Sequence, residues 1–306
     1  MQMKTHKKIK HFIEYIFVLL VIKPIRMLSE PRALTSAEQL GWFVFHFIPV
    51  RRKTSLLNLS RAFPQKSKKE LQQIALKAYQ NFSKTIFEFI RLEQMTKEQL
   101  GNRIAFHQPD VLYQAIKKNR GTLCVSGHFD NWEFMCAAIA GENFPIQAVA
   151  KPQSNALVDR LIRNTRESKG ITLIKLGVSV RSVLQALKQN QIILLLADQD
   201  AHEDGVFVDF LGQPSSTPTG PAVFALKQKA EIVFCITVRK NDNRHHIYFE
   251  KIKTDDLKAF NQETVKTLTQ RHTKLLEKYI LEYPDQWFWM HKRWKTKPEN
   301  RKHEHQ

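Results

Sequence analysis

From Ser67 onward apolar residues recur at intervals of three and four: Leu71, Ile74, Ala75, Ala78, Tyr79, Phe82, Ile86, Phe89 and Ile90. That spacing draws a stripe down one face and predicts a long amphipathic helix. Past residue 120 the pattern changes. Gly121–Ser126 is a short, largely apolar run stopped by Gly127, which predicts a buried strand. Helices are predicted over Asn131–Ala140, Ala156–Ser168, Val180–Lys188 and from Pro218 or Gly220 to Lys229. Strands are predicted between them at Ile146–Ala150, Ile171–Ile174, Ile192–Ala197, Ile232–Val238 and His246–Phe249. Val265, Leu268, Leu275, Leu276, Tyr279 and Ile280 mark a last long helix. Strands and helices alternating in this way predict an α/β fold, with a mixed, largely buried central sheet flanked by helices. No internal repeat and no Gly/Ser/Pro-rich linker divides residues 54–295, which read as one domain.

Residues 1–53 have a different pattern. Phe12–Ile22 is apolar and flanked by Lys7, Lys8 and Lys10 on one side and Lys23 and Arg26 on the other. Eleven helical residues reach about 16 Å, against roughly 30 Å of hydrocarbon. No small-residue cleavage site follows, which argues against a removed signal peptide. A second run, Leu40–Val50, ends in Arg51-Arg52-Lys53. Aromatic and basic residues bordering apolar segments predict a membrane-associated helical hairpin, in-plane or oblique. Two core helices, or one tilted span with Lys23 and Arg26 snorkelling, also fit the pattern. Residues 296–306 read as a disordered basic and histidine-bearing tail.

Composition sharpens this only through charge. The 306 residues carry 48 Lys and Arg against 29 Asp and Glu, a net +19. The excess is enriched at both ends and predicts polyanionic partners: an anionic membrane, an acidic protein or nucleic acid. Cys124, Cys136 and Cys235 lack metal-site spacing and read as buried small hydrophobes.

Two predicted strands run directly into polar clusters, the place where α/β sheets bind ligands. The first is Ser126-Gly-His128-Phe-Asp130-Asn131-Trp-Glu133; the second is Ala197-Asp198-Gln199-Asp200-Ala-His202-Glu203-Asp204. His128 stands at a strand-to-helix corner. Glu133, five residues on, would lie about 140° away on a regular helix. The two meet only if His128 precedes the helix and Glu133 lies one turn inside it. A carboxylate on one ring nitrogen would fix the tautomer and leave the other as a base for a hydroxyl. The same residues also read as a capping box with Asp130 at the N-cap. The acidic run around Asp200 reads as candidate metal ligands or as solvated acids.

In this setting, His128-x4-Glu133 resembles the HX4(D/E) motif of the bacterial lipid A late acyltransferases. Further blocks agree in order: Arg51-Arg52 with Asn58-Leu59 and Ala62-Phe-Pro64; Asn155 with Asp159-Arg160 to Arg166 and Gly170; Ala197–Asp200 with Val206–Gly212 and Thr217–Ala222; and Trp287–Lys295. The resemblance covers most of residues 40–295. It implies transfer of a fatty acyl chain, usually from acyl carrier protein, to a hydroxyl of a phosphorylated glycolipid precursor of lipid A. The implied location is the cytoplasmic face of the bacterial inner membrane. It implies His128 as general base with Glu133 as its partner. Arg166, or Arg160 or Arg163, would stabilise negative charge or hold phosphate. Asn131, Asp198, Gln199 and Asp200 would line the substrate site, with Asp200 able to orient His128. No metal or bound cofactor is implied. Asp130 departs from the family, which often has glycine there; it could make His128 more basic or cap the helix.

Two alternatives remain at this level. One is the same chemistry on another lyso-lipid, aminolipid or glycolipid. The other is a basic nucleic-acid-binding protein, with Trp287, Trp289 and Trp294 among basic residues as a stacking surface. The same tryptophans also suit a membrane-interface or closing tail. No nucleic-acid-binding motif supports the second alternative.

Overall fold

The structure, a computed structural model, describes residues 2–48, 50–175 and 179–298, with backbone alone at 2–5 and 179. His303 and His305 of the predicted tail lie outside the described residues.

The chain opens with α1 (Gln2–Met27), α2 (Glu30–Phe47) and α3 (Arg52–Ala62), which lead into α4 (Lys68–Leu92). Ser67 starts α4 with a capping box: its Oγ accepts from the Glu70 N–H at 3.3 Å, and the Glu70 carboxylate accepts from the Ser67 N–H at 2.8 Å. α2 lies across α4 through Ala33, Ala37 and Gly41. A Cβ at Gly41 would stand 2.5 Å from the Gln80 Cα, so the crossing needs glycine.

Short α5 (Lys97–Gly101), strand β1 (Ile104–His107) and α6 (Pro109–Lys117) follow, and β1 and α6 were not anticipated from the pattern. The alternating body is β2 (Thr122–Ser126), α7 (Trp132–Gly141), β3 (Ile146–Ala150), α8 (Ala156–Glu167), β4 (Ile171–Lys175), α9 (Ser179–Lys188) and β5 (Ile192–Leu196). A small antiparallel hairpin, β6 (Val206–Phe210) and β7 (Gln213–Thr217), precedes α10 (Gly220–Gln228), β8 (Glu231–Arg239), β9 (His245–Lys251) and α11 (Gln262–Glu282).

The main sheet has the order β1-β9-β8-β2-β5-β3-β4. All neighbours are parallel except β8 and β9, so the sheet is mixed but mostly parallel. The two-residue period of the strands splits the core. Leu123, Val125 and Ile193 face α9, α10 and α11, whereas Cys124, Leu194 and Cys235 face α6 and α7. With both faces covered, β2 is buried along its whole length, and all three cysteines are buried.

No helix among the described residues is long and apolar enough to cross a membrane. α1 and α2 are neither free nor fully buried. Ile25, Ala33, Ala37 and Phe87 form a small core of their own, and Asn155 ties α1 to α8 through the His11 carbonyl at 2.8 Å. Yet Phe12, Phe17, Leu20, Trp42, Phe43 and Phe47 remain exposed.

Candidate active site

The site is set by strand register. Ser126 of β2 and Leu196 of β5 are register partners, and the ladder continues with the Ala197 N–H donating to the Ser126 carbonyl at 2.9 Å. Two residues beyond each strand come His128 and Asp198, so the parallel pairing delivers them to the same height. His128 Nδ1 lies 2.7 Å from Asp198 Oδ1, and the His128 backbone N–H donates to Asp198 Oδ2 at 2.8 Å. Trp287 Nε1 donates to that same Oδ2 at 2.9 Å. The carboxylate is buried and held by three donors, so its orientation is fixed. Burial pushes the Asp198 pKa up, but the His128 ring, these hydrogen bonds and Trp287 hold it down at about 2. Burial pulls the His128 pKa down, and the Asp198 charge and hydrogen bond more than offset this, leaving it above its ordinary value of 6.5.

The C-terminal segment completes the frame. The Phe288 N–H donates to the His128 carbonyl at 3.0 Å, and the Asp130 N–H donates to the Gln286 carbonyl at 2.8 Å. The His128 ring stands edge-on to Trp132, with centroids 5.0 Å apart, and has Phe288 at 6.2 Å. Its side chain is 22% exposed, and Nε2 has no hydrogen-bond partner among the described residues. A hydroxyl can therefore reach this nitrogen.

Glu133 is not the partner of His128. It sits at the start of α7 and takes the Arg166 guanidinium as a fork, Nε at 3.0 Å and Nη2 at 2.6 Å, with Trp132 Nε1 on it at 3.1 Å. Its charge still raises the His128 pKa from a distance. An arginine fork on the nearby α8 gives the Glu133 carboxylate two aligned bonds at once, which one imidazole nitrogen cannot match. Asp200 does not orient His128 either. Its Oδ2 accepts from the Thr296 hydroxyl at 2.9 Å and lies 3.2 Å from His202 Nδ1, and its N–H donates to His291 Nε2 at 2.8 Å. Thr296, assigned to the tail by its sequence, is thus buried at its start.

The other candidates separate. Arg160 is exposed, and Arg163 pairs with Glu167 at 2.9 Å on the outer face of α8. Only Arg166 turns inward. Asn131 is fully buried and structural: its Oδ1 caps α7 by accepting from the Phe134 N–H at 2.9 Å, and its amide donates to Glu88 at 2.9 Å. Asn131, not Asp130, is therefore the N-cap. Asp130 neither caps the helix nor touches the His128 ring; it turns away into a buried cluster with His245 and Arg239. Gln199 is half-buried, with its carbonyl 3.5 Å from Arg293. Among the described residues no group of three His, Cys, Asp or Glu side chains is arranged to hold a metal ion.

The sequence model of the family described as bacterial lipid A biosynthesis acyltransferase matches residues 2–296. The chain belongs to that family. It is 27% identical over 264 residues to the lipid A biosynthesis lauroyltransferase of Escherichia coli (strain K12), covering 85% of this chain and 84% of the relative. It is 23% identical over 262 residues to the palmitoleoyltransferase of the same organism, with the same coverage. It is also 24% identical over 229 residues to the phosphatidylinositol mannoside acyltransferase of Mycolicibacterium smegmatis (strain ATCC 700084 / mc(2)155), covering 74% of this chain and 72% of the relative.

Several features of this acyltransferase were not legible in its sequence. Trp287, Trp289 and Trp294 are buried, which removes the proposed stacking surface; Trp287 and Trp294 close the fold over Phe210, Trp289 packs on Trp287, and Trp287 supports Asp198. Asn58 holds the closing segment by donating to the Trp289 carbonyl at 2.8 Å and the His291 carbonyl at 2.6 Å. An apolar groove of about 300 Å³ runs between α1, α4 and α8, lined by Phe17, Val21, Phe89, Ile90, Val158 and Leu161 among others. The Arg166 guanidinium lies 5.8 Å from the Phe89 ring, so the groove approaches the Glu133–Arg166 pair.

Proposed function

We propose that this acyltransferase moves a fatty acyl chain from an acyl carrier protein thioester to a hydroxyl of a lipid A precursor, with His128 as general base. The observation that carries the reading is the His128–Asp198 pair at the tips of adjacent parallel strands, with Nε2 open. Nε2 takes the proton of the acceptor hydroxyl as its oxygen attacks the thioester carbonyl. The tetrahedral adduct then expels the thiolate, which recovers the proton from the imidazolium. Asp198 stabilises that imidazolium and fixes the tautomer. General-base help of this kind is worth about 10²–10⁴-fold in rate.

Arg166 complements the base. Glu133 engages Nε and Nη2, so Nη1 is left to meet the developing oxyanion or a phosphate of the acceptor. Glu133 acts here as a positioning residue. The apolar groove beyond Phe89 suits the acyl chain.

The net +19 charge suits an acidic carrier, a phosphorylated acceptor and an anionic inner-membrane face. The exposed apolar residues of α1, beside exposed Lys7, Lys8 and Lys10, support seating on that surface. A second reading keeps the chemistry and changes the acceptor to another glycolipid; the mycobacterial relative, named for phosphatidylinositol mannoside, favours it.

Mass spectrometry of lipid A from a deletion strain complemented with wild type or His128→Ala tests the proposal. Wild type should restore one acyl chain. His128→Ala should lower the rate in membranes at least about 100-fold while circular dichroism is unchanged. Full activity in that variant removes the mechanism. Unchanged lipid A with altered glycolipids redirects the acceptor.

A further inference from the structure

Behind the His128 turn lies a buried cluster of charges that the proposed reaction does not use. His245, at the start of β9, is fully buried with a carboxylate at each ring nitrogen: Asp130 Oδ2 at 2.7 Å from Nδ1 and Glu88 Oε1 at 3.2 Å from Nε2. Both neighbours are acceptors, so the ring donates twice and is an imidazolium. Burial works against that charge, and Asp130 and Glu88 restore it, leaving the pKa above its ordinary value.

The same carboxylates meet arginines. Arg239 of β8 donates to Glu88 at 2.8 and 2.6 Å, and its Nε lies 3.1 Å from Asp130 Oδ1. Arg103, just before β1, donates to Glu88 at 3.2 Å and also pairs with Glu30 of α2. Two buried carboxylates, Asp130 and Glu88, thus face two arginines and share the His245 ring between them, while Glu30 lies half exposed at the edge. Losing the ring removes one donor from each of two buried carboxylates, which is costly.

Asp130 connects this cluster to the site. It is two residues from His128, and its φ is 42°, the left-handed region that a residue with a Cβ disfavours. Its carbonyl accepts from the Thr85 hydroxyl at 3.0 Å and its Oδ2 from the Thr237 hydroxyl at 3.2 Å. The next residue, Asn131, is bound to Glu88. The cluster therefore grips the turn through two consecutive side chains.

We propose that His245 is a positioning residue for His128: bridging Asp130 and Glu88, it holds the left-handed turn and so sets where the His128 ring stands against Asp198. The inference rests on His128 being the base. In this chain it gives Asp130, where a glycine would relieve the backbone, a reason to be aspartate.

Two variants of the full-length protein in nanodiscs test it. His245→Gln removes the charge; Asp130→Gly removes the carboxylate and suits the backbone. Nitrogen-15 histidine NMR reads the His128 ring independently of turnover. In each variant the His128 Nδ1–H resonance should shift or broaden. kcat should fall about tenfold with KM within about twofold. The double variant should be no worse than the poorer single variant, since both cut one link. A folded variant with an unchanged His128 resonance overturns the inference, even if its Tm has dropped. If His245→Gln does not fold, Asp130→Gly decides alone by the same readouts. An active His128→Ala protein would instead remove the general-base reading, and the NMR measurement would still decide this one.

Discussion

At the residue scale, the pairing of His128 with Asp198 makes opposite demands on stability and activity. The His128 pKa lies above 6.5 in the folded protein, so its charge contributes stability fully below about 6.5, and that contribution is lost as pH rises through the folded value. Catalysis as a base needs the opposite, a free Nε2, so the rate should climb over that same interval. Asp198→Asn removes the main group that raises the His128 pKa. The pH–rate midpoint should therefore move to lower pH, because burial then dominates. Above both midpoints the rate should still be lower by about 10²-fold or more, since the imidazolium loses its stabilising charge. A pH–rate profile measures both effects; an unmoved midpoint would contradict the assignment of Asp198. Glu133 and Asp200, each committed to other partners, should affect the midpoint less.

At the element scale, the site depends on how helices and the closing segment are held against the sheet. α4 carries Glu88 into the buried cluster and Phe89 into the apolar groove, and α2 braces α4 from outside. Gly41 permits that brace. Gly41→Val would put a branched side chain where even a Cβ lies 2.5 Å from the Gln80 Cα, against helix backbone that cannot rotate away. Overpacking of this kind costs about 1–3 kcal/mol. Thermal unfolding should show a lower Tm, whereas Gly101→Ala, with nothing within 4 Å of its Cβ, should not. The closing segment 286–296 works in the same way from the other side, with Asn58 and Asp200 as its anchors.

At the scale of the whole molecule, charge and exposed apolar surface act together. Phe12, Phe17 and Leu20 on α1 stay exposed on a protein with a net charge of +19. Phe17→Glu should weaken flotation with anionic vesicles. Because Phe17 is 66% exposed, the Tm should stay close to wild type. Binding should also fall as salt rises, since attraction of basic residues to the surface is screened. Flotation that is insensitive to both changes would remove α1 from the membrane-facing surface.

The local pattern was enough to place most elements. Ile146–Ala150 matches its strand end to end, and α7, α8 and α9 lie within a residue of their expected limits. Burial on both faces of a parallel sheet forces a continuous apolar run, and amphipathic helices must repeat near 3.6. β7 escaped because Gln213–Thr217 carries little apolar signal, and β1 because Ile104–His107 is only four residues long. The family, and His128 at a strand tip, were likewise legible from motif order and from the glycine that ends the strand.

Partnership was not legible. Sequence proximity favoured Glu133 for His128, but register between β2 and β5 brought Asp198, 70 residues away, to the ring, and α8 took Glu133 through Arg166. Asp130, His245, Arg239 and Glu88 come from four separate segments, and nothing local marks them as one buried cluster. Periodicity reports which face of an element is covered. Which charge meets which depends on strand order and helix crossing, and only the folded chain fixes those.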